Sequence, residues 1–300
     1  MLEIYMSVIE IEEICYDIGA LSLHGLACGD DEDEVVLCLH GWLDNAASFT
    51  PLMPYLTNKR LIAIDWPGHG FSSHRSEDAH YHFIDWVYDL LQLFELNDWH
   101  DIDIVAHSMG GMVASAFAAA FPERVKSLTL LDSIGFMSSD ADKTTAQLRQ
   151  GMTSRLRSSF NYVKNNKIKK EKNLHPTSDS AIKARIAVSD MNYQQAKIIV
   201  KRGLVKEGHG YVWRADSRLR NVSPYRLTLS QAEQFIRDIK CPVQLLHGTT
   251  GTGFDMVTRG ITHFGPLFNN VVYYDIEGGH HVHMEQPETT AKFINNFISA

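Results

Sequence analysis

The segment IDIVAHSMGGMVASAFAAAF, residues 102–121, constrains the fold of this chain more than any other part. Residues 102–106 form an apolar run of strand length, and the small apolar residues 110–121 have the pattern of a helix pressed against a sheet. The motif AHSMG at 106–110 joins them. A sharp strand-to-helix turn admits only small residues at its ends, and it exposes the central hydroxyl at the carboxyl edge of a sheet. The segment therefore predicts that Ser108 is a nucleophile at a helix amino terminus, where backbone N–H groups favour developing negative charge.

Short apolar runs of strand length recur along the chain. Near-continuous apolarity is typical of strands that are buried on both faces, as in a parallel sheet. Helical patterns lie between the runs, for example at 83–94, and this alternation predicts an α/β fold. Residues 4–28 are predicted to form an antiparallel hairpin at the sheet edge, which completes a mostly parallel eight-stranded sheet flanked by helices. The apolar runs are 35–39, 61–64, 102–106, 127–131, 243–246 and 271–274.

The alternation is interrupted in the second half of the chain by a strongly basic stretch. Of the 28 lysines and arginines, 21 lie between residues 140 and 240 together with nine acidic residues, so that this stretch carries +12 and the rest of the chain −20. We predict a catalytic sheet domain made of 1–133 and 241–300, with 134–240 inserted between the sixth and seventh strands as a mainly helical lid. Within it, KNNKIKKEKN at 164–173 is expected to be an exposed loop.

At this point the chain resembles the α/β-hydrolase superfamily over both predicted parts of the sheet. The serine motif matches the family's G-x-S-x-G turn, with alanine in place of the first glycine. HGWLDN at 40–45 is similar to the HG loop that follows the third strand in this family. The resemblance implies that the backbone N–H groups of Trp42 and Met109 form an oxyanion hole. Such a pair of preorganised donors lowers an acyl-transfer barrier by a few kcal/mol for each donor.

A serine hydroxyl needs a base, and histidine is the side chain whose pKa suits that task near neutrality. GGHHVHMEQP at 278–287 resembles the family pattern G-H-x-x-x-x-E-x-P, whose first histidine is the catalytic base. The resemblance thus implies that His280 is the base. His281 and His283 are expected to be packing or hydrogen-bonding neighbours.

The acid of the triad is where the sequence departs from the commonest family pattern. Many relatives read H-G-x-x-D after the seventh strand, whereas this chain has HGTTG at 247–251, with glycine at the expected aspartate. Asp132 ends the sixth strand and follows Ser108 by 24 residues, which is the position used by relatives whose acid follows strand six. Asp255 is the alternative, since a looped segment can bring it to the same imidazole. We favour Asp132 over Asp255.

The subgroup that the chain resembles is the serine hydrolase-like, carboxylesterase-type proteins. The resemblance rests on LCLHGWLDNAASF at 37–49, on the serine motif, on WRADSRL at 213–219 and on GFD at 253–255. It implies cleavage of small-molecule carboxylic esters through a Ser-His-Asp triad and an acyl-enzyme. A carbon-carbon bond hydrolase, a lactonase, a thioesterase or an aminopeptidase fits the same triad. A catalytically silent ligand-binding protein is the alternative from another class, because the expected aspartate is missing.

Metal sites and other cofactors are not expected. DWPGHGFS at 65–72 resembles the family turn D-x-P-G-x-G-x-S, which we assign to loop geometry because proline and glycine are turn residues. A metal role for Asp65 and His69 is disfavoured, as is a three-histidine site within 278–287, because adjacent side chains diverge. The four cysteines lack C-x-x-C spacing, so neither a zinc site nor a disulfide framework is predicted.

Composition and charge narrow the setting in which the chain acts. With 44% hydrophobic and 21% charged residues, the chain is neither disordered nor fibrous, and no apolar run approaches the roughly 20 residues of a membrane-spanning helix. The acidic amino-terminal stretch lacks the features of a signal peptide, so a cytoplasmic monomer or homodimer is expected. The basic residues show no nucleic-acid-binding signature. They can form a solvated surface, steer acidic substrates, or attract the lid to the sheet domain through long-range forces.

Overall fold

The computed structural model describes residues 9–167, 174–251 and 253–299. Within these ranges the chain forms ten strands and nine α-helices, which we number in chain order. The strands are β1 (Glu12–Asp17), β2 (Ser22–Cys28), β3 (Val35–Leu39), β4 (Arg60–Ile64), β5 (Ile102–His107), β6 (Val125–Leu131), β7 (Leu204–Glu207), β8 (Gly210–Trp213), β9 (Val243–Gly248) and β10 (Val271–Ile276). The helices are α1 (Phe83–Leu96), α2 (Met109–Ala120), α3 (Thr144–Lys167), α4 (Ser178–Ile186), α5 (Tyr193–Gly203), α6 (Leu229–Asp238), α7 (Phe254–Phe264), α8 (Val282–Glu285) and α9 (Pro287–Ile298).

Eight strands form one sheet in the order β1-β2-β4-β3-β5-β6-β9-β10. The pairs β1–β2 and β2–β4 are antiparallel and the other pairs are parallel, so the predicted mostly parallel sheet is confirmed. Each of the six predicted apolar runs lies in one of its strands. The predicted edge hairpin is the pair β1–β2, although residues 4–8 of that prediction lie outside the described residues.

The sheet is covered on both faces, which explains why its strands are apolar almost throughout. On one face, α1, α2, α6 and α7 pack against side chains such as Leu37 and Ile104. On the other face, α9 and the loop after β3 pack against side chains such as Cys38 and Val105. Consecutive residues of a strand therefore point into opposite layers of the core. In the described residues, we find no helix with the length and apolarity needed to cross a bilayer.

The chain between β6 and α6, residues 134–227, is called here the inserted segment. It contains α3, α4 and α5, as predicted for a mainly helical region, and also the unpredicted antiparallel hairpin of β7 and β8. Helix α6 packs against the sheet with α2, so the predicted lid boundaries 134–240 include one helix that belongs to the sheet layers. The loop predicted at 164–173 is wrong for residues 164–167, which continue α3, and its other residues lie outside the described chain.

Two arginines, buried Arg202 and partly exposed Arg218, attach the inserted segment to the loops of the sheet. The guanidinium of Arg202 binds both carboxylate oxygens of Asp65 through its Nε, at 3.1 and 2.9 Å. Arg218 pairs with Asp216, with 2.6 Å between Nη2 and Oδ2, and also donates to the backbone carbonyls of residues 75, 76 and 79. The WRADSRL motif thus contributes an Arg-Asp pair that joins this segment to the chain before α1.

Candidate active site

Ser108 lies between β5 and α2 in a conformation that few residues adopt. Its φ and ψ are 51° and −117°, a strained region for a residue with a side chain. The turn is held from below, since the N–H of Ser108 donates to Leu131 O at 3.2 Å and the hydroxyl of Ser133 donates to Ser108 O at 2.7 Å. Small residues are required around it, because a Cβ at Gly110 would collide with the backbone of β3. The predicted sharp turn is therefore present at the carboxyl edge of the sheet.

Ser108, His280 and Asp132 form a continuous chain of hydrogen bonds. Ser108 Oγ lies 2.9 Å from Nε2 of His280, and Nδ1 of His280 lies 2.6 Å from Oδ2 of Asp132. A carboxylate accepts only, so the Nδ1 atom carries the proton and Nε2 is left to accept from the serine hydroxyl. The other oxygen of Asp132 accepts the N–H of Gly248 at 3.1 Å, and its side chain is almost wholly buried. These contacts orient the Asp132 carboxylate and set the tautomer of the imidazole.

The alternative acid lies elsewhere. Asp255 is exposed in the first turn of α7, whereas the chain just before it, at Gly253, packs beside the His280 and Asp132 side chains. Gly251, where many relatives carry the acid, has a φ of 88°, and a Cβ there would collide with the carboxylate of Asp190. The positive φ disfavours any side chain at position 251, and an aspartate there would also have to displace the Asp190 carboxylate. In this structure His280 is joined to Asp132 instead.

The loop after β3 brings two backbone amides beside the serine. Trp42 follows Gly41, whose Cα lies so close to the turn that an added Cβ would be 3.1 Å from the Cβ of Ser108. Met109 is the first residue of α2, so its N–H has no acceptor within the helix. In the described part of the chain, neither amide donates to a protein oxygen. Both donors suggested by the sequence are thus unoccupied, on either side of Ser108.

The turn after β4 supports the HG loop. Asp65 accepts the N–H of Ala46 at 2.7 Å and that of Phe71 at 2.8 Å, in addition to its bonds with the inserted segment. His69 Nε2 accepts the N–H of Leu43 at 3.2 Å, and burial lowers the pKa of His69 to about 3, so its ring is neutral. The DWPGHGFS motif therefore acts through loop geometry, as the sequence indicated.

A second network of charged groups lies directly behind the serine and the base. The imidazole of His281 donates from Nε2 to Oδ2 of Asp44 at 3.0 Å, and Arg185 binds the other oxygen of Asp44 at 2.5 Å. Although burial acts to lower it, the carboxylates of Asp44 and Asp190 raise the pKa of His281 to about 9. Burial opposes ionisation of Asp44, but His281 and Arg185 hold its pKa well below the usual range. Near neutral pH His281 and Asp44 therefore form an ion pair.

The network also fixes the backbone of His280. Its N–H donates to Oδ2 of Asp190 at 2.9 Å, and its carbonyl accepts from Nε2 of His107 at the same distance. Sequence reasoning missed Asp190 and Arg185, because their partners lie 90 and 141 residues away and neither residue belongs to a motif. His107 lies within the serine motif at 106–110 and Asp44 within the HG loop at 40–45, so the sequence did point to these two residues.

Three members of the network meet the geometric needs of a metal site. Asp44, His107 and His281 present ligand atoms that lie within 4.8 Å of one another. A cation there would lie close to the Arg185 guanidinium on the other oxygen of Asp44, and it would need His281 to lose its proton, which the raised pKa of His281 opposes. We therefore assign these residues to an ion-pair network rather than to a metal centre.

A cavity of about 530 Å³ opens over Ser108 and His280. The sheet contributes the HG loop, and the inserted segment contributes the chain around Arg185 and Asp190 and the end of the β7–β8 hairpin. The indole of Trp42 is about half exposed in this cavity, and its N–H donates to the carbonyl of Leu219 at 3.2 Å. Both parts of the molecule therefore form the walls of the cavity.

Comparisons with known proteins agree with this architecture. Residues 34–287 match the family described as alpha/beta hydrolase fold. A serine hydrolase-like protein of Danio rerio is 30% identical over 92% of this chain and 85% of its own length. The crystal structure of a hypothetical protein from Pseudomonas aeruginosa PAO1 has a TM-score of 0.87 and 31% identity, covering 96% of this chain and all of that chain. A thioesterase domain from the curacin biosynthetic pathway shares the fold at a TM-score of 0.77 and 22% identity, covering 96% of this chain and 99% of its own.

Proposed function

The chain belongs to the α/β-hydrolase fold family, in its serine hydrolase-like subgroup, and from this premise we propose that it hydrolyses carboxylic esters. The names of its relatives support a hydrolase. The hydrogen-bonded chain of Ser108, His280 and Asp132 is the observation that carries the proposal, because it couples a strained, accessible hydroxyl to an oriented base.

In the acylation step, Ser108 Oγ attacks the ester carbonyl carbon while Nε2 of His280 takes the hydroxyl proton. The carbonyl oxygen becomes an oxyanion, which the amides of Trp42 and Met109 stabilise. Asp132 accepts the Nδ1 hydrogen bond and stabilises the imidazolium that forms. When the intermediate collapses, the ester C–O bond breaks and His280 returns the proton to the departing alkoxide, which leaves as an alcohol.

In the deacylation step, a water molecule takes the place of the alcohol. His280 removes one proton from the water as its oxygen attacks the acyl carbon. The second tetrahedral intermediate releases Ser108, which regains its proton from His280, and the carboxylic acid leaves. The inserted segment acts as a lid in this proposal, because it supplies walls of the cavity through which both products must depart.

Replacing the serine tests the proposal. Ser108→Ala is expected to lower kcat for p-nitrophenyl butyrate by about 10⁴-fold or more, because it removes the nucleophile. Ser230→Ala, at an exposed serine of α6, is the matched control and should keep the wild-type rate. Turnover retained in folded Ser108→Ala protein would overturn the proposal.

A fluorophosphonate probe separates a hydrolase from a silent ligand-binding protein. An activated serine attacks the phosphorus and becomes covalently labelled, whereas an inert serine does not. We expect mass spectrometry to locate the label at Ser108. Persistent failure to label the folded wild-type protein would favour the binding role instead.

A further inference from the structure

A second cavity, of about 460 Å³, lies within the inserted segment beside the candidate active site. Helix α3 lines one side of it, and the chain that follows β8 lines the other. Two arginines, Arg157 and Arg220, are among the lining residues, and no acidic residue of the described chain is. The cavity is therefore positively charged and rich in hydrogen-bonding groups.

These two arginines differ from others in the same segment. Arg185 and Arg202 each bind a buried carboxylate of the sheet domain, which neutralises their charge. Arg157 and Arg220 are exposed, and within the described residues neither makes an ion pair or a hydrogen bond. Their guanidinium groups are thus available to a ligand from solution. A guanidinium presents several N–H donors in a planar fork that matches the oxygens of a phosphate.

The second cavity also contains neutral hydrogen-bond donors. Asn221 uses its carbonyl oxygen to accept from the hydroxyl of Ser158 at 2.6 Å, but its buried amide nitrogen has no partner. Ser154 accepts the N–H of Val222 at 3.1 Å, which leaves its hydroxyl proton free to donate. A buried donor without an acceptor is costly, so a ligand oxygen at this place would remove the penalty.

The two cavities share Arg220, which also lines the cavity over Ser108 and His280. The two cavities therefore adjoin at the Arg220 side chain, and the proposal below requires a ligand that reaches past this side chain from the serine. We propose that the second cavity binds a phosphate group carried by the substrate at a distance from its scissile carbonyl. The substrate class is then acyl esters or thioesters whose alcohol or thiol portion ends in a phosphate. This inference deepens the proposed function and rests on it.

The test compares two ligands that differ by one phosphate. S-Butyryl-phosphopantetheine and S-butyryl-pantetheine are titrated by calorimetry into Ser108→Ala protein, which should bind both without turnover. We expect the phosphorylated ligand to bind at least about ten-fold more tightly, since charge-assisted hydrogen bonds to arginine are strong. In the double variant that also carries Arg157→Gln, the ratio of the two Kd values should fall to near one. Arg149→Gln, which removes the same charge from an exposed position on α3, should keep the ratio.

The outcomes separate this inference from the proposed function. The phosphate site would be overturned if the two ligands had equal Kd values. It would also be overturned if Arg157→Gln and Arg149→Gln lowered the affinity for the phosphorylated ligand equally. If Ser108→Ala still cleaves p-nitrophenyl butyrate, the nucleophile alone is overturned, and the ratio of the Kd values is then measured with the uncleavable S-butyl thioethers of the same two ligands. Wild-type esterase activity combined with a ratio of one would overturn the phosphate site alone.

Discussion

The sheet domain and the inserted segment contribute different things to the same site. The sheet domain supplies Ser108, His280 and Asp132 from the carboxyl ends of its strands and the loops beyond them. The inserted segment supplies none of these three residues, but its Asp190 and Arg185 bind the base and its neighbours from the other side. The proposed reacting groups thus come from the sheet domain alone, whereas the groups that hold the base in place come from both parts of the chain.

The two regions also carry opposite charge, and the structure shows where some of that charge is used. Arg202 and Asp65 are nearly inaccessible and in direct contact, and partly exposed Arg185 contacts buried Asp44. Contacts of this kind act over a few ångströms and are only weakly screened by salt, unlike the long-range attraction that the sequence suggested. Specific buried pairs thus offer a sufficient account of how the segment is held on the sheet.

The largest expected effect concerns the acid that the sheet supplies. Asp132→Asn should lower kcat for p-nitrophenyl butyrate by about 10³- to 10⁴-fold, because the amide disturbs the tautomer of His280. Asp255→Asn, at an exposed residue, should change kcat by less than about two-fold. Steady-state kinetics on both folded variants decides between them. A loss confined to Asp255→Asn would show that the acid is reached through the loop after β9.

Removing the arginine of a buried pair tests how the two regions are held together. Arg202→Met leaves buried Asp65 without its ion-pair partner and also removes the contact with Glu13, and it should lower the free energy of unfolding by about 3 to 5 kcal/mol. Lys201→Met, at the exposed neighbouring residue, should change it by less than about 0.5 kcal/mol. Urea unfolding gives both values. Similar small losses in the two variants would show that the pair is dispensable.

The ionised network behind the base predicts a pH dependence. The folded protein raises the pKa of His281 from 6.5 to about 9, so its ion pairs stabilise the fold fully below pH 6.5, and this contribution is lost as the pH rises through 9. The stability difference between wild type and His281→Gln should therefore shrink by about 1 to 3 kcal/mol between these limits.

Urea unfolding at both ends of this range measures that difference. His209→Gln, at an exposed histidine, serves as the control and should show no such change relative to wild type. A constant difference between wild type and His281→Gln across the range would mean that His281 is neutral in the folded protein.

The smallest expected effect concerns salt. Because buried pairs hold the segment, the KM for an uncharged ester should change by less than about two-fold between about 0.05 and 1 M sodium chloride. Potassium chloride serves as the control for specific ion effects. A steep rise in KM with either salt would instead support long-range attraction between the basic segment and the acidic sheet domain.

Much of the candidate site could be predicted from short motifs, because the backbone geometry of a turn or strand restricts which residues can occupy it. The turn at Ser108 needs small residues at fixed offsets, and the strand before it needs apolar side chains on both faces. These requirements are visible in a few consecutive residues. The hairpin of β7 and β8 was not visible, since its two strands have only four residues each and β7 is mostly exposed.

The sequence alone determined the fold class, the sheet strands, and the candidate serine and histidine, since each follows from residues close together in the chain. Tertiary structure decided which aspartate meets His280, because Asp255 lies exposed on α7 whereas Asp132, at the end of β6, is brought within 2.6 Å of the imidazole. It alone revealed Asp190 and Arg185, whose roles depend on contacts with residues distant in sequence. Burial then gives those contacts their strength, and burial is a property of the packed molecule rather than of any local pattern.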